Sequence, residues 1–285
     1  MFEFPELLIP LGDWINTAVD WLTRNLAPFF DAITVGIREP LVRIEHFLWW
    51  LPWWAVIIIF AGVSWKFAGR RTALFVLFGM VFIGVMGLWD DTMTTLAIIV
   101  TAVAVSVLIG IPTGILAAKN DRFERILRPL LDGMQTMPSF VYLIPAVFFF
   151  GLGKVPAVVA TVIYAVPPSI RLTNLGIRQV AAEVVEAGKA FGCTSGQLLF
   201  KIQLPLARPS IMAGVNQTIM MALAMVVIAS MIGASGLGLE VLRGIERLDV
   251  GRGFIAGISI VILAIMIDRV SQSLGKVRGP GPPSK

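Results

Sequence analysis

Seven long apolar stretches separated by short polar turns constrain this chain more than any other feature. They lie near 51–67, 72–89, 92–118, 133–151, 155–172, 209–232 and 253–271. A helix needs roughly 17–25 mostly apolar residues to cross the hydrocarbon core of a bilayer. Each stretch therefore predicts a span, and the chain as a whole predicts an all-α membrane protein. Composition agrees, with 57% hydrophobic and 14% charged residues where soluble domains carry about 25% charged. Trp49, Trp50, Trp53 and Trp54 precede or open the first stretch, as an interfacial aromatic belt does.

The turns give the chain a direction. One side carries Lys66, Arg70, Arg71, Lys119, Arg122, Arg125, Arg128, Arg171, Arg178, Lys189, Lys201 and Arg208, and then the tail after Arg269. The other carries residues 1–50, the Asp90-Asp91 turn, the Gly151–Pro156 turn and the 233–252 loop. The basic excess marks the first side as cytoplasmic, so the N-terminus is expected outside and the C-terminus inside. The net charge of +5 is spread over these short clusters with no continuous stripe, which argues for orientation and against nucleic-acid binding. No Lys or Arg precedes Arg24, so a cleavable signal peptide is not expected.

Four regions are expected. Residues 1–50 form an extracytoplasmic, amphipathic N-terminal segment. Trp14, Ala18, Trp21 and Leu22 recur there at helical spacing, as in a helix lying on the membrane surface or one packed on the bundle. Residues 51–91 supply two additional spans. Residues 92–275 form the core, with a cytoplasmic loop at 174–208. Residues 276–285, rich in Gly and Pro, form a flexible tail.

That loop is the most specific segment. Val180, Val184, Ala187 and Phe191 follow helical spacing, and Gly192 stands where a helix-terminating glycine belongs. Thr194-Ser195-Gly196-Gln197 reads as a capping box opening a second helix with Leu198, Leu199 and Ile202. Pro205 is expected to interrupt that helix or mark re-entry to the membrane. A short helix, a tight turn and a second helix with Leu and Phe anchors suit the groove of a partner protein.

Catalytic chemistry has little to work with. His46 is the lone histidine and Cys193 the lone cysteine, so no disulfide or cysteine metal site is expected. No Gly-Lys-Ser/Thr occurs, so no phosphate-binding loop of that type is present. Gly233–Gly238 is glycine-rich, but it follows an apolar span and reads as a re-entrant turn. Polar or soft residues within spans, Gln135, Met137, Tyr142, Asn216 and Met220, are candidates for a translocation path or for interhelical ties. Tyr142, Phe140 and Phe148 offer aromatic faces to a cation.

The loop spacing resembles the permease subunits of bacterial ATP-binding-cassette importers, whose signature is Glu-Ala-Ala, three residues, Gly, nine residues, Ile-x-Leu-Pro. Here Glu186, Ala187, Gly188, Gly192, Ile202, Leu204 and Pro205 match it, with Gly188 in place of the second Ala as the sole departure. The runs Met134–Pro145, Phe150–Pro156, Pro167–Arg178 and Gly214–Ala222 are similar to the glycine betaine, proline betaine and choline branch. The resemblance implies a type I importer fold in the bacterial inner membrane and a loop that couples to a cytoplasmic ATPase. It also implies a homodimer of permeases, two ATPase subunits that bind ATP and Mg²⁺, an extracytoplasmic binding protein, and no cofactor in this chain. The implied function is uptake of glycine betaine, choline or a related quaternary-amine osmolyte by alternating access. The alternatives are an importer for another amine or amino acid, and a secondary carrier driven by an ion gradient.

Overall fold

The computed structural model describes residues 10–275. Residues 1–9 and the tail 276–285 lie outside the described residues. The described residues are predominantly helical and include no strand. It opens with α1 (Leu11–Asn25) and α2 (Ala27–Trp50), followed by α3 (Trp53–Ala68) and α4 (Arg70–Val85). The long α5 (Trp89–Lys119) leads into α6 (Asp121–Thr136), a 3₁₀ turn and the short α7 (Leu143–Phe150). Then come α8 (Lys154–Arg178), α9 (Ala182–Ala190), the α10 turn (Ser195–Gln197) and α11 (Leu204–Ala229). Finally α12 (Leu237–Glu246) and α13 (Val250–Gly275) complete it.

Helix α8 is the axis of the bundle, with α5 and α11 packed along it. Ile98, Ile99, Val158, Val162, Leu223 and Val226 form the shared core, closed by Leu263 and Met266 of α13. In lipid no hydrophobic force drives helices together, so close backbone approach carries the packing. Gly110 and Gly114 of α5 supply it. A Cβ on Gly110 would lie 2.6 Å from Ser169 Oγ, and one on Gly114 would lie 2.7 Å from the Ile170 carbonyl oxygen.

Among the described residues, four helices are long and apolar enough to cross a membrane unbroken: Trp89–Lys119, Lys154–Arg178, Ser195–Ile232 and Val250–Ser273. Two further candidates are bent pairs, α2 with α3 at 105° and α6 with α7 at 110°. The seven apolar stretches are thus not seven straight spans. The 133–151 stretch breaks at Met137–Pro138, where the extended backbone preceding the 3₁₀ turn redirects the chain. Helices α3 and α4 have 16 residues each, or about 24 Å at 1.5 Å per residue, short of the roughly 30 Å core.

Of the N-terminal segment, α2 packs on the bundle by burying Ile37, Leu41, Glu45 and Leu48, whereas α1 buries nothing. Phe30 stacks on Phe149 at 4.6 Å and meets Phe150 edge-on, which fixes α2 against α7.

Candidate functional site: the 182–205 loop and its supports

Local chemistry builds the loop. Helix α9 ends in a Schellman turn: Gly192 N–H donates to Lys189 O at 2.9 Å and Cys193 N–H to Gly188 O at 3.0 Å. Gly192 adopts φ +78° with open space around it, a conformation that costs other L-residues roughly 1–2 kcal/mol. The capping box is complete. Gln197 N–H donates to Thr194 Oγ1 at 3.3 Å, and Thr194 N–H donates to Gln197 Oε1 at 2.9 Å.

Two expectations change here. Of the two readings of Pro205, interruption of the second helix fails, because residues Leu198–Gln203 widen into a π-helical turn that runs straight into α11; the proline stands at the start of that long apolar helix. The wider turn absorbs the missing N–H and the ring of Pro205 without a break in the helix. The leucine anchors are also not the exposed ones. Leu198 and Leu199 are buried, and Leu199 joins Ile177 and Ala207 in a cluster at the base of α8 and α11. The outward apolar surface is instead Val184, Phe191, Phe200 and Leu206, with Phe191 89% exposed at the tip.

Gly188 explains how the loop folds back on itself. It is buried, and a Cβ there would lie 2.7 Å from Ile202 Cδ1 and 2.9 Å from Leu198 Cδ1. The missing methyl lets α9 seat on the π-turn. Glu186 and Ala187 are exposed beside it, Ile202 and Leu204 are half-buried, and Pro205 is exposed. The structure thus brings Gly188 and Ile202 into contact and leaves Glu186, Ala187 and Pro205 on the surface.

The loop is tied to the core through Arg178, four residues before α9. Its guanidinium donates to Asn174 Oδ1 and to the Ala117 carbonyl, each at 2.8 Å, and pairs with Asp121 at 2.7 Å. Arg171, about two turns earlier in α8, pairs with Asp132. A cavity of about 270 Å³ lies between α6 and α8 beside these pairs. These bonds join the C-terminal half of α8 to both α5 and α6, just before the loop begins.

The candidate path residues do not converge in a single chain. Tyr142 is buried, its hydroxyl donates to the Met134 carbonyl across the bend, and its ring meets Tyr164 edge-on at 5.8 Å. Asn216 donates to Asp268 Oδ1 at 3.3 Å and accepts from Ser271, tying α11 to α13. Gln135, Met137 and Met220 are exposed. Met220 belongs to an uncovered stripe of α11 formed by Ala213, Gln217, Met220 and Ala224 at intervals of four, three and four. Phe140 and Phe148 are likewise exposed, at 58% and 60%.

Sequence reasoning missed a buried charge at the other end of the bundle. Glu45 of α2, 5% exposed, accepts from Lys154 Nζ at 2.6 Å and Thr94 Oγ1 at 2.8 Å, and the ammonium lies over the Trp49 ring. Lys154 follows the turn of Gly151 (φ +76°) and Gly153 (φ +118°), whose N–H donates to Ile232 O. The cluster clamps α2, α5 and the start of α8 together. A second cluster sits at the α12–α13 corner, where Glu240 accepts from Arg243 at 2.5 Å and Arg252 at 2.6 Å. Burial alone would raise the Glu240 carboxyl, but the two guanidinium hydrogen bonds outweigh it and hold the group below its ordinary range.

An all-α bundle of membrane-length helices, with a compact surface loop that exposes a phenylalanine, defines a polytopic membrane protein. Residues 110–276 match the family of binding-protein-dependent transport system inner membrane components, and the chain belongs to that family. It is 48% identical over 273 residues to the Escherichia coli glycine betaine/proline betaine transport system permease protein ProW, covering 96% of this chain and 77% of that one. It is 50% identical over 266 residues to the Bacillus subtilis glycine betaine transport system permease protein OpuAB, covering 93% and 94%. The fold is similar to that of the MetNI methionine ABC transporter in an inward-facing conformation. There the TM-score is 0.56 at 21% identity, over 69% of this chain and 94% of the solved one.

Proposed function

We propose that this chain is the membrane-spanning subunit of an ATP-driven importer for glycine betaine or a related quaternary-amine osmolyte. The single observation that carries the coupling role is the 182–205 loop. A Schellman turn, a capping box and a buried glycine hold it rigid, yet its tip offers Phe191 to solvent. A rigid apolar knob of this kind loses little entropy on docking. Glu186, Ala187, Gly188, Gly192, Ile202, Leu204 and Pro205 form the coupling element, with ATP and Mg²⁺ bound by the partner ATPase and no nucleotide site in this chain. The loop faces the cytoplasm, the N-terminus lies outside and the C-terminus inside. Residues 92–275 act as the permease core, with residues 51–91 as an added pair of membrane helices.

The uncovered α11 stripe of Ala213, Gln217, Met220 and Ala224 favours a second copy of the chain as its partner, with the substrate path between the copies. Met220 and the exposed Met137 and Phe140 give that path soft, polarizable walls, permissive toward a cation that cannot donate hydrogen bonds from its charge. An extracytoplasmic binding protein delivers the substrate. The glycine betaine specificity of the relatives supports the substrate class.

The test is purification of the tagged chain from its native membrane in mild detergent, beside a Gly192→Trp variant. The expected result is co-purification of an ATPase subunit with the native chain and its loss with the variant. Absence of any ATPase from a native preparation that keeps its oligomer would overturn the coupling role and favour a gradient-driven carrier.

A further inference from the structure

The α3–α4 hairpin leaves two clefts that no described residue fills. At one end the small residues Ala61 and Gly62 of α3 face Ala73 of α4 across a cavity of about 660 Å³ that Arg70 bounds. A Cβ on Gly62 would meet nothing within 4 Å. At the other end a cavity of about 490 Å³ lies between Trp53 and Trp89. On α4 the residues lining both follow one stripe, from Arg70 through Leu77 to Gly84. Apart from Arg70, the side chains that line each cleft are apolar.

The hairpin's two ends differ in charge. Lys66, Arg70 and Arg71 are exposed at the Gly69 corner, and none of them takes part in an ion pair among the described residues. The opposite end carries the exposed Asp90. The hairpin is also shorter than the hydrocarbon core, so lipid headgroups are drawn inward toward the corner cations. An apolar cleft bounded by Arg70, with Lys66 and Arg71 exposed at the same corner, complements an amphiphile with an anionic head.

We propose that this cleft binds one anionic phospholipid, with its phosphate on Arg70 and an acyl chain laid along Gly62 and Ala73. The lipid completes the packing of the hairpin, which the protein's own side chains leave open.

The experiment places the purified full chain in nanodiscs of phosphatidylglycerol or phosphatidylcholine and reads lipid retained per chain by native mass spectrometry. One phosphatidylglycerol is expected to be retained under conditions that strip phosphatidylcholine. Arg70→Gln weakens that retention about fivefold, the effect of one cation at a charged lipid surface. Gly62→Leu fills the cleft and displaces the lipid while melting temperature and oligomeric state stay native. Soluble glycerol phosphate, which has the head but no chain, does not compete. Equal retention of the two lipids, indifference to both variants, or displacement by glycerol phosphate overturns the proposal. So does cross-linking of two chains through Gly62→Cys in the presence of phosphatidylglycerol, which would assign the cleft to a second copy.

Discussion

Replacing Gly192 by alanine tests the loop at its stiffest point. The residue has φ +78° and no atom near its Cβ position, so the substitution introduces backbone strain and no clash. That strain is roughly 1–2 kcal/mol. If the free variant relaxes out of the turn and docking must restore it, the strain is charged to the complex, and affinity for the ATPase falls by up to roughly 5–30-fold. Asparagine tolerates the left-handed conformation far better than alanine, so Gly192→Asn is expected to lie close to the native chain. Valine, branched at Cβ, is expected to be weaker than alanine. The assay is titration of the purified ATPase onto nanodisc-held permease variants, with substrate-stimulated hydrolysis as the second readout. Equal affinity across native, Asn, Ala and Val proteins would refute the reasoning, because the turn would then not be the docked conformation.

Further predictions concern the supports. Lys154→Met leaves the buried Glu45 carboxylate without its cation and is expected to cost about 3–5 kcal/mol. The Glu45→Gln, Lys154→Met double variant recovers much of that, as a thermal double-mutant cycle in detergent would read. Gly114→Ala drives a Cβ to 2.7 Å from the Ile170 carbonyl oxygen and should destabilise by about 1–3 kcal/mol. Gly257→Ala in α13, where a Cβ meets nothing, should be neutral or stabilising by up to about 1 kcal/mol. Glu240 has its carboxyl held low in the folded chain. Its stabilising contribution is therefore complete above the unfolded value of about 4.3 and is lost as pH falls through the folded value. Glu240→Gln should melt earlier than the native chain at neutral pH, and the two curves should converge in acid.

What could be read from the sequence was what is decided locally. The Gly192 turn and the Thr194–Gln197 box are set within six residues, so spacing alone located both. The α helices of the core follow from apolar length. The 110° bend between α6 and α7 was only half visible, because Pro138 marks a weak point but tertiary contacts, including the Tyr142 to Met134 bond, choose the angle. The π-turn before Pro205 has no sequence signature of its own. Exposure within the loop depended on Gly188 meeting Leu198 and Ile202: Leu198 and Leu199 turn inward, while Phe191 faces outward as expected. The Glu45–Lys154 pair joins positions 109 residues apart, and no local pattern announces it.

The central claim is that ATP hydrolysed by a docked partner drives uptake through this chain. The most direct measurement is uptake of radiolabelled glycine betaine into proteoliposomes holding the permease with its ATPase, in the presence of the binding protein. Accumulation is expected only with ATP on the ATPase side, and is expected to be lost in Gly192→Trp at unchanged permease content. Accumulation driven by an imposed Na⁺ or H⁺ gradient in vesicles lacking the ATPase would contradict that claim.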